Sequence, residues 1–269
     1  MPDVIDSIKH PAVVAAREST GESGATSFLI EGPKLVLEAI AAGAPLERVF
    51  FTHPLTDAAE EAAWEAAAGA GVACSLVTRG VLFRLLGLGY ETATRVLATV
   101  KITRRTLSEL LAGVRPDTYL LIGERIQDPR NVGVLIRTAD AWGLEAVAFT
   151  EGSADPFSRA AVRSSTGSIL RVGVTEGGSA GELLEGLRQR GMRIVGASAG
   201  ADTVCWKADL SPPCALIVGN ETAGLSVEAR EKCDLVTRIP MYGGAHSFNV
   251  TVAAGILLYE AARQKEAGR

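Results

Sequence analysis

Three segments late in the chain carry residue types and spacings suited to ligand chemistry: Asn131-Val-Gly-Val-Leu-Ile-Arg137, Val218-Gly-Asn220-Glu221-Thr-Ala-Gly-Leu225 and Ile239-Pro-Met-Tyr-Gly-Gly-Ala-His-Ser247-Phe-Asn249. Each places glycine, amide, hydroxyl or charge where a strand hands over to a helix, the place where α/β proteins leave a crevice and unpaired N–H groups. Arg137 falls within two turns of a helix start. A cation does not complement the helix dipole there, so its guanidinium suits an anion or a reacting oxygen. Glu221 can orient an arginine or a hydroxyl, Gly219 lets a flat ligand approach backbone, and Ser247 and Asn249 precede the last helix. Plain structural roles exist for each: a salt-bridged arginine, a loop carboxylate on local N–H groups, and helix caps at Asn131, Ser226, Ser247 and Asn249.

Elements that must position these residues follow from periodicity. The first hundred residues read as a small α/β module: strand Phe28 to Gly32, helix Pro33 to Ala42, strand Leu46 to Thr52, helix Asp57 to Ala68, strand Ala73 to Val77, helix Arg79 to Leu86 and strand Arg95 to Lys101. Residues 87–94 break the pattern, and 103–117 reads as a linker with one short helix. From 118 onward apolar strands at Tyr119 to Gly123, Ala146 to Phe149, Arg193 to Ser198, Ala215 to Gly219 and Leu235 to Ile239 alternate with helices. Such runs predict a parallel sheet covered on both faces. The helix from Asn249 to about Gln264 is apolar nearly all round, which predicts burial within the chain or against a second subunit. Division into 1–102, 103–117 and 118–269 follows.

Two common nucleotide folds are excluded. Glu124-Arg-Ile-Gln-Asp-Pro-Arg-Asn131 follows the first strand of the larger domain, where a dinucleotide fold needs G-x-G-x-x-G, and no Gly-Lys-Ser/Thr follows a strand. The four cysteines form no C-x-x-C pair, which predicts reduced thiols and no metal. An acidic N-terminus and the lack of a long apolar run predict neither export nor membrane insertion, hence a cytoplasmic protein. With 27 Lys and Arg against 31 Asp and Glu, the net charge is -4, so nucleic-acid binding needs a local patch. Candidates are Lys101, Arg104 and Arg105, and Arg159 with Arg163.

Taken together, the three segments resemble the motifs of the SpoU (TrmH-type) RNA 2'-O-ribose methyltransferases, in order and with the N-x-G-x-x-x-R and S-x-N spacings. Phe28-Leu-Ile-Glu-Gly-Pro-Lys and Ala41 to Gly43 resemble that family's L30e-like substrate-binding domain. The resemblance implies a SPOUT-type α/β fold with a C-terminal trefoil knot, a homodimer with the active site near its interface, and S-adenosylmethionine as cofactor. It implies catalytic roles for Arg137, Asn131, Glu221, Ser247 and Asn249. Cofactor positions would be Gly219, Asn220, Ile239 and Phe248, with Ala197 to Gly200 and Met241 nearby. Arg104, Arg105, Arg159 and Arg163 would face RNA, expected to be large-subunit (23S) rRNA, with antibiotic resistance as one purpose. Transfer RNA as substrate, an RNA-binding assembly factor without turnover, or a small-molecule α/β enzyme are the alternatives. Phe248 stands where leucine is usual and Thr222-Ala223 where a glycine-rich turn is common; both bear on the subfamily and leave the catalytic groups intact.

Overall fold

The computed structural model describes residues 3–21, 24–87 and 93–267, in two units: Met1–Ile102 with Phe157–Leu170, and Thr103–Pro156 with Arg171–Arg269. Most of the break expected at 87–94 lies outside the described residues.

In the first unit, α1 (Pro11–Ser19), β1 (Ser27–Glu31), α2 (Pro33–Ala41), β2 (Leu46–Thr52), α3 (Ala58–Gly69), β3 (Ala73–Val77), α4 (Arg79–Leu85) and β4 (Val96–Lys101) follow one another. The strands form a sheet in the order β1-β4-β2-β3, with β2 and β3 parallel and the other pairs antiparallel. Proline opens α2, and Asp57 caps α3 by accepting from the Glu60 N–H. Val13, Val81, Leu82 and Leu85 from α1 and α4 close over Phe50 and Leu97. Helix α1 is absent from the expected elements, because its nine residues bury only Val13 and Ala16 and leave little periodic signal. The helix Arg159–Ser165 joins this unit from far along the chain and packs on β1, with the Phe28 and Phe157 ring centroids 5.5 Å apart.

The second unit starts with α5 (Leu107–Ala112), which carries a Thr106–Glu109 capping box. Its Leu110 is buried among Leu120, Leu184 and Leu187, so the stretch expected as a linker is part of this core. Then come β5 (Tyr119–Gly123), α6 (Pro129–Ala141), β6 (Ala146–Phe149), the first unit's Arg159–Ser165 (α7), β7 (Gly173–Glu176), α8 (Ala180–Gln189), β8 (Arg193–Ala197), β9 (Thr203–Val204), β10 (Cys214–Val218), α9 (Val227–Lys232), β11 (Leu235–Arg238) and α10 (Val250–Ala267). All seven strands pair in parallel in the order β7-β6-β5-β10-β8-β11-β9. This is the α/β fold with a parallel sheet that the apolar runs predict; β7 and the two-residue β9 are additions too short or too polar to show in the pattern.

Helices cover both faces, as parallel strands require. On one side α8 and α9 bury Leu183, Leu184, Leu187 and Ala229 against Ile122, Ile194 and Ile217. Elsewhere α6 packs on β5 and β6, and α10 packs on α6 and β10. Val250, Ala254, Leu257, Leu258 and Ala261 of α10 are buried, whereas Val252 and Tyr259 are exposed. The helix is therefore covered along one stripe and bare along the other. No helix among the described residues is long and apolar enough to cross a membrane.

Candidate active site

Strands β8, β10 and β11 end side by side, and the loops leaving them enclose a cavity of about 270 Å³. Ala197 to Gly200 form one wall, Val218 to Gly224 another, and Ile239, Met241, Ser247 and Phe248 a third. Strand carboxyl ends are where open parallel sheets bind ligands. All seven cofactor positions expected from the sequence, Ala197, Gly200, Gly219, Asn220, Ile239, Met241 and Phe248, line this one space. Small residues and backbone alternate with the apolar Ile239, Met241 and Phe248, a lining that accepts a flat heterocycle with polar edges.

The Val218–Leu225 segment owes its shape to its own atoms. Asn220 and Gly224 exchange two backbone hydrogen bonds, 3.1 and 2.9 Å, and the Asn220 Oδ1 accepts from the N–H groups of Thr222 and Ala223. Asn220 Nδ2 donates to the Arg125 carbonyl at 2.9 Å. Gly224 takes a positive φ of 67° to close the turn. A Cβ on Gly219 would strike the backbone of Gly224 and Leu225. The space on the Cβ side of Gly219 is thus filled by the returning chain, while its backbone lines the cavity.

Glu221 ties this loop to the start of α6. Its carboxylate accepts from the Gln127 and Asp128 N–H groups, both at 3.3 Å, and from Asn131 Nδ2 at 2.8 Å. Asn131 Oδ1 in turn accepts from Asn249 Nδ2 at 3.3 Å, and Asn249 Oδ1 caps α10 through the Thr251 N–H at 2.9 Å. One chain of hydrogen bonds so joins the three segments. The cap of α6 is Asp128, with Pro129 at the first helical position; Asn131, expected as the cap, is inside the helix with its amide spent on Glu221 and Asn249. Ser226 caps α9 as expected, and its own N–H donates to the buried Glu124 carboxylate at 2.9 Å. Nothing in the sequence pattern singles out Glu124. Beside it Arg125 has a positive φ of 51°, held by the bond from Asn220 and by donation of its N–H to Thr150 Oγ1.

Burial opposes the charge on Glu221, but the bonds from Asn131, Gln127 and Asp128 outweigh it and hold the carboxyl below its ordinary value of 4.5. A depressed carboxyl contributes stability that is full above its unfolded value and is lost as pH falls through its folded one. Glu221→Gln should therefore remove part of the acid limb of the stability profile, below pH 4.5, and lower turnover near neutrality by about tenfold through displaced neighbours. Melting curves across acid pH check the first effect.

Ser247 lines the cavity, exposed, with no hydrogen bond among the described residues. Arg137 is exposed on α6, also without a partner there, and is not part of the cavity lining. It lies six positions on from Asn131, which at about 100° per residue puts it roughly 120° round the helix. Arg137, Ala141 and the C-cap Trp142 are exposed at this end of α6. Three of the four arginines expected to face RNA hold carboxylates: Arg104 Nε bonds Glu176 at 2.7 Å, Arg159 Nε bonds Glu31 at 2.7 Å, and the more exposed Arg163 reaches Glu31 at 3.4 Å. Arg105 is tied through its backbone N–H, which donates to the Val174 carbonyl. Among the described residues no group of His, Cys, Asp and Glu is arranged to hold a metal.

Comparison with known proteins adds chemistry to this geometry. Residues 118–259 match the SpoU rRNA Methylase family, and residues 29–91 match the RNA 2'-O ribose methyltransferase substrate-binding family. A tRNA/rRNA methyltransferase of Mycobacterium avium, itself uncharacterized, is 34% identical over 87% of this chain and 76% of its own. A 23S rRNA uridine 2'-O-methyltransferase of Streptomyces viridochromogenes is 35% identical over 68% of this chain and 65% of its own. Among solved structures, the AdoMet-bound rRNA methyltransferase from Sinorhizobium meliloti superposes with a TM-score of 0.84 at 26% identity, over 97% of this chain and 98% of that one.

Proposed function

We propose that this chain, which belongs to the SpoU rRNA methylase family, transfers a methyl group from S-adenosylmethionine to a ribose 2'-hydroxyl of large-subunit (23S) rRNA. The observation that carries the reading is the single cavity at the ends of β8, β10 and β11, bordered by Glu221 and Ser247 and joined by hydrogen bonds to Asn131 and Asn249. Its mixed small, apolar and backbone lining fits an adenosine and a thioether chain. When bound, S-adenosylmethionine supplies a methyl group already activated on sulfonium. The protein's task is then to present the alcohol in line and to stabilise the charge it develops.

Arg137 is the group for that charge. A guanidinium does not deprotonate near neutrality, so it stabilises the developing alkoxide and leaves proton removal to another acceptor. Glu221 is committed to Asn131 and two backbone N–H groups, so it acts by positioning. Ser247 has a hydroxyl at the cavity with no partner among the described residues and can hydrogen-bond the attacking oxygen. Support for rRNA comes from the substrate-binding match at 29–91 and from the Streptomyces relative's 23S rRNA activity. Calorimetry with S-adenosylmethionine and tritiated methyl incorporation into rRNA and tRNA test the proposal. Label in rRNA supports it, label in tRNA alone moves the substrate, and cofactor binding without any label makes the chain an RNA-binding factor.

The same reading includes a homodimer. Arg137 does not line its own chain's cavity, and its side of α6 adjoins an exposed aromatic pair, Trp142 and Tyr259, with ring centroids 6.2 Å apart at 68°. A second copy laid over this side would cover Val252 and Tyr259 and bring Arg137 toward the neighbouring cavity. Tyr259→Glu should shift the protein to monomer by about 2 kcal/mol of association or more, and abolish turnover with it. Sedimentation velocity reads the change; an unaltered dimer would place the interface elsewhere. The trefoil knot belongs to this proposal too: β11 lies beyond β8 from β10, and α10 then returns to pack on β10 and α6.

A further inference from the structure

We propose that Tyr242 is the platform on which the base of the target nucleotide stacks. The inference rests on the RNA-methylation reading above. Tyr242 is 91% exposed, the highest exposure among the large apolar side chains described, and its ring has no aromatic, cationic or hydrogen-bond partner among the described residues. A tyrosine ring left this far in water has both faces open to a stacking partner.

Its place narrows what that partner is. Met241 before it and Ser247 after it line the cavity, so the loop that carries Tyr242 leaves and re-enters at the cavity wall. A Cβ added to the intervening Gly243 or Gly244 would meet nothing within 4 Å, and residues 242–249 are all exposed. The loop has room to carry the ring over a ligand entering beside Ser247. Other exposed aromatics of this unit are otherwise placed: Trp142 and Tyr259 contact each other, Phe248 lines the cavity, and Trp206 lies away from its lining.

A ribose 2'-hydroxyl is presented in line most freely when its nucleotide is splayed away from the stack of its neighbours. Single-stranded bases splayed out in this way are held by stacking on aromatic side chains. The interaction is tolerant of base identity, since every base has a π face, and does not need a net positive charge, which this chain at -4 lacks. Tyr242 therefore serves orientation of the nucleotide, while Arg137 and Ser247 serve its hydroxyl.

The test is a double-mutant cycle with the protein and the RNA. Once the methylated nucleotide is mapped, an RNA fragment containing it is compared with the same fragment abasic at that nucleotide, which keeps the 2'-hydroxyl. Tyr242→Leu should lower kcat/KM on the intact fragment by about ten- to a hundredfold, while Tyr242→Phe stays near wild type. On the abasic fragment wild type and Tyr242→Leu should be equally slow. S-adenosylmethionine affinity and sedimentation should be unchanged, which separates stacking from a folding or dimer role. Equal activity of Tyr242→Leu and wild type on the intact fragment, or a further loss on the abasic one, overturns the assignment to Tyr242 alone. Wild type inert on every RNA overturns the methyltransferase reading and this inference together.

Discussion

Arg137→Ala is expected to cripple methyl transfer and to leave S-adenosylmethionine binding intact. The split follows from position: the cavity is built from the loops after β8, β10 and β11, and Arg137 contributes nothing to its lining. Its side chain is exposed on α6 and makes no ion pair among the described residues, so removal costs little stability. Catalysis should suffer by about a hundred- to a thousandfold, the range found when one preorganised donor to a developing oxyanion is lost. Arg137→Lys should recover little of this, because an ammonium lacks the planar fork that can hold an oxygen and an adjacent phosphate together. Calorimetry and single-turnover transfer on the same preparations give the two halves of the prediction. Weakened cofactor binding in step with lost turnover would make Arg137 a structural residue.

Gly219→Val should act in the opposite order, removing the cofactor site first. The new Cβ would collide with the backbone of Gly224 and Leu225, and backbone cannot swing aside as a flexible side chain does. The turn 220–224 must move, and with it go Glu221, its grip on Asn131 and one wall of the cavity. Overpacking of this kind costs about 1–3 kcal/mol, seen as a lower melting temperature, and affinity for S-adenosylmethionine should fall at least about tenfold. Gly200→Ala is the control. It also lines the cavity, yet its Cβ would meet nothing within 4 Å, so the fold stays unchanged and any loss of affinity reports contact with ligand. Gly219→Val with normal affinity would show that the turn does not shape the site.

These two positions also show what the sequence discloses and what it withholds. Continuous apolar strands are plain in the pattern, and Leu46–Thr52, Ala73–Val77, Tyr119–Gly123 and Ala146–Phe149 form over the residues expected. Gly173–Glu176 is not plain, because four residues opening on glycine and closing on glutamate lack a strand's signal until β6 pairs with them. The grouping of Asn131, Glu221 and Asn249 comes from the family resemblance; spacing alone gives three separate helix starts. Which bond each makes is settled only in three dimensions. Asp128 takes the cap because Pro129 follows it, which frees Asn131 to bridge Glu221 and Asn249. The approach of Gly224 and Leu225 backbone to the Cβ side of Gly219 is a contact that spacing does not disclose. Arginine clusters are legible as charge, while their carboxylate partners, Glu31 and Glu176, lie far off in sequence.

The central claim is that the methyl group goes to a ribose oxygen. RNA is cleaved in alkali through attack of the 2'-hydroxyl on the neighbouring phosphate, so a methylated 2'-oxygen protects one linkage. The decisive measurement is alkaline hydrolysis of 23S rRNA after reaction with tritiated S-adenosylmethionine. Label confined to alkali-resistant dinucleotides, absent with Arg137→Ala, is the predicted result; label released as mononucleotides would place the methyl on a base and contradict the account.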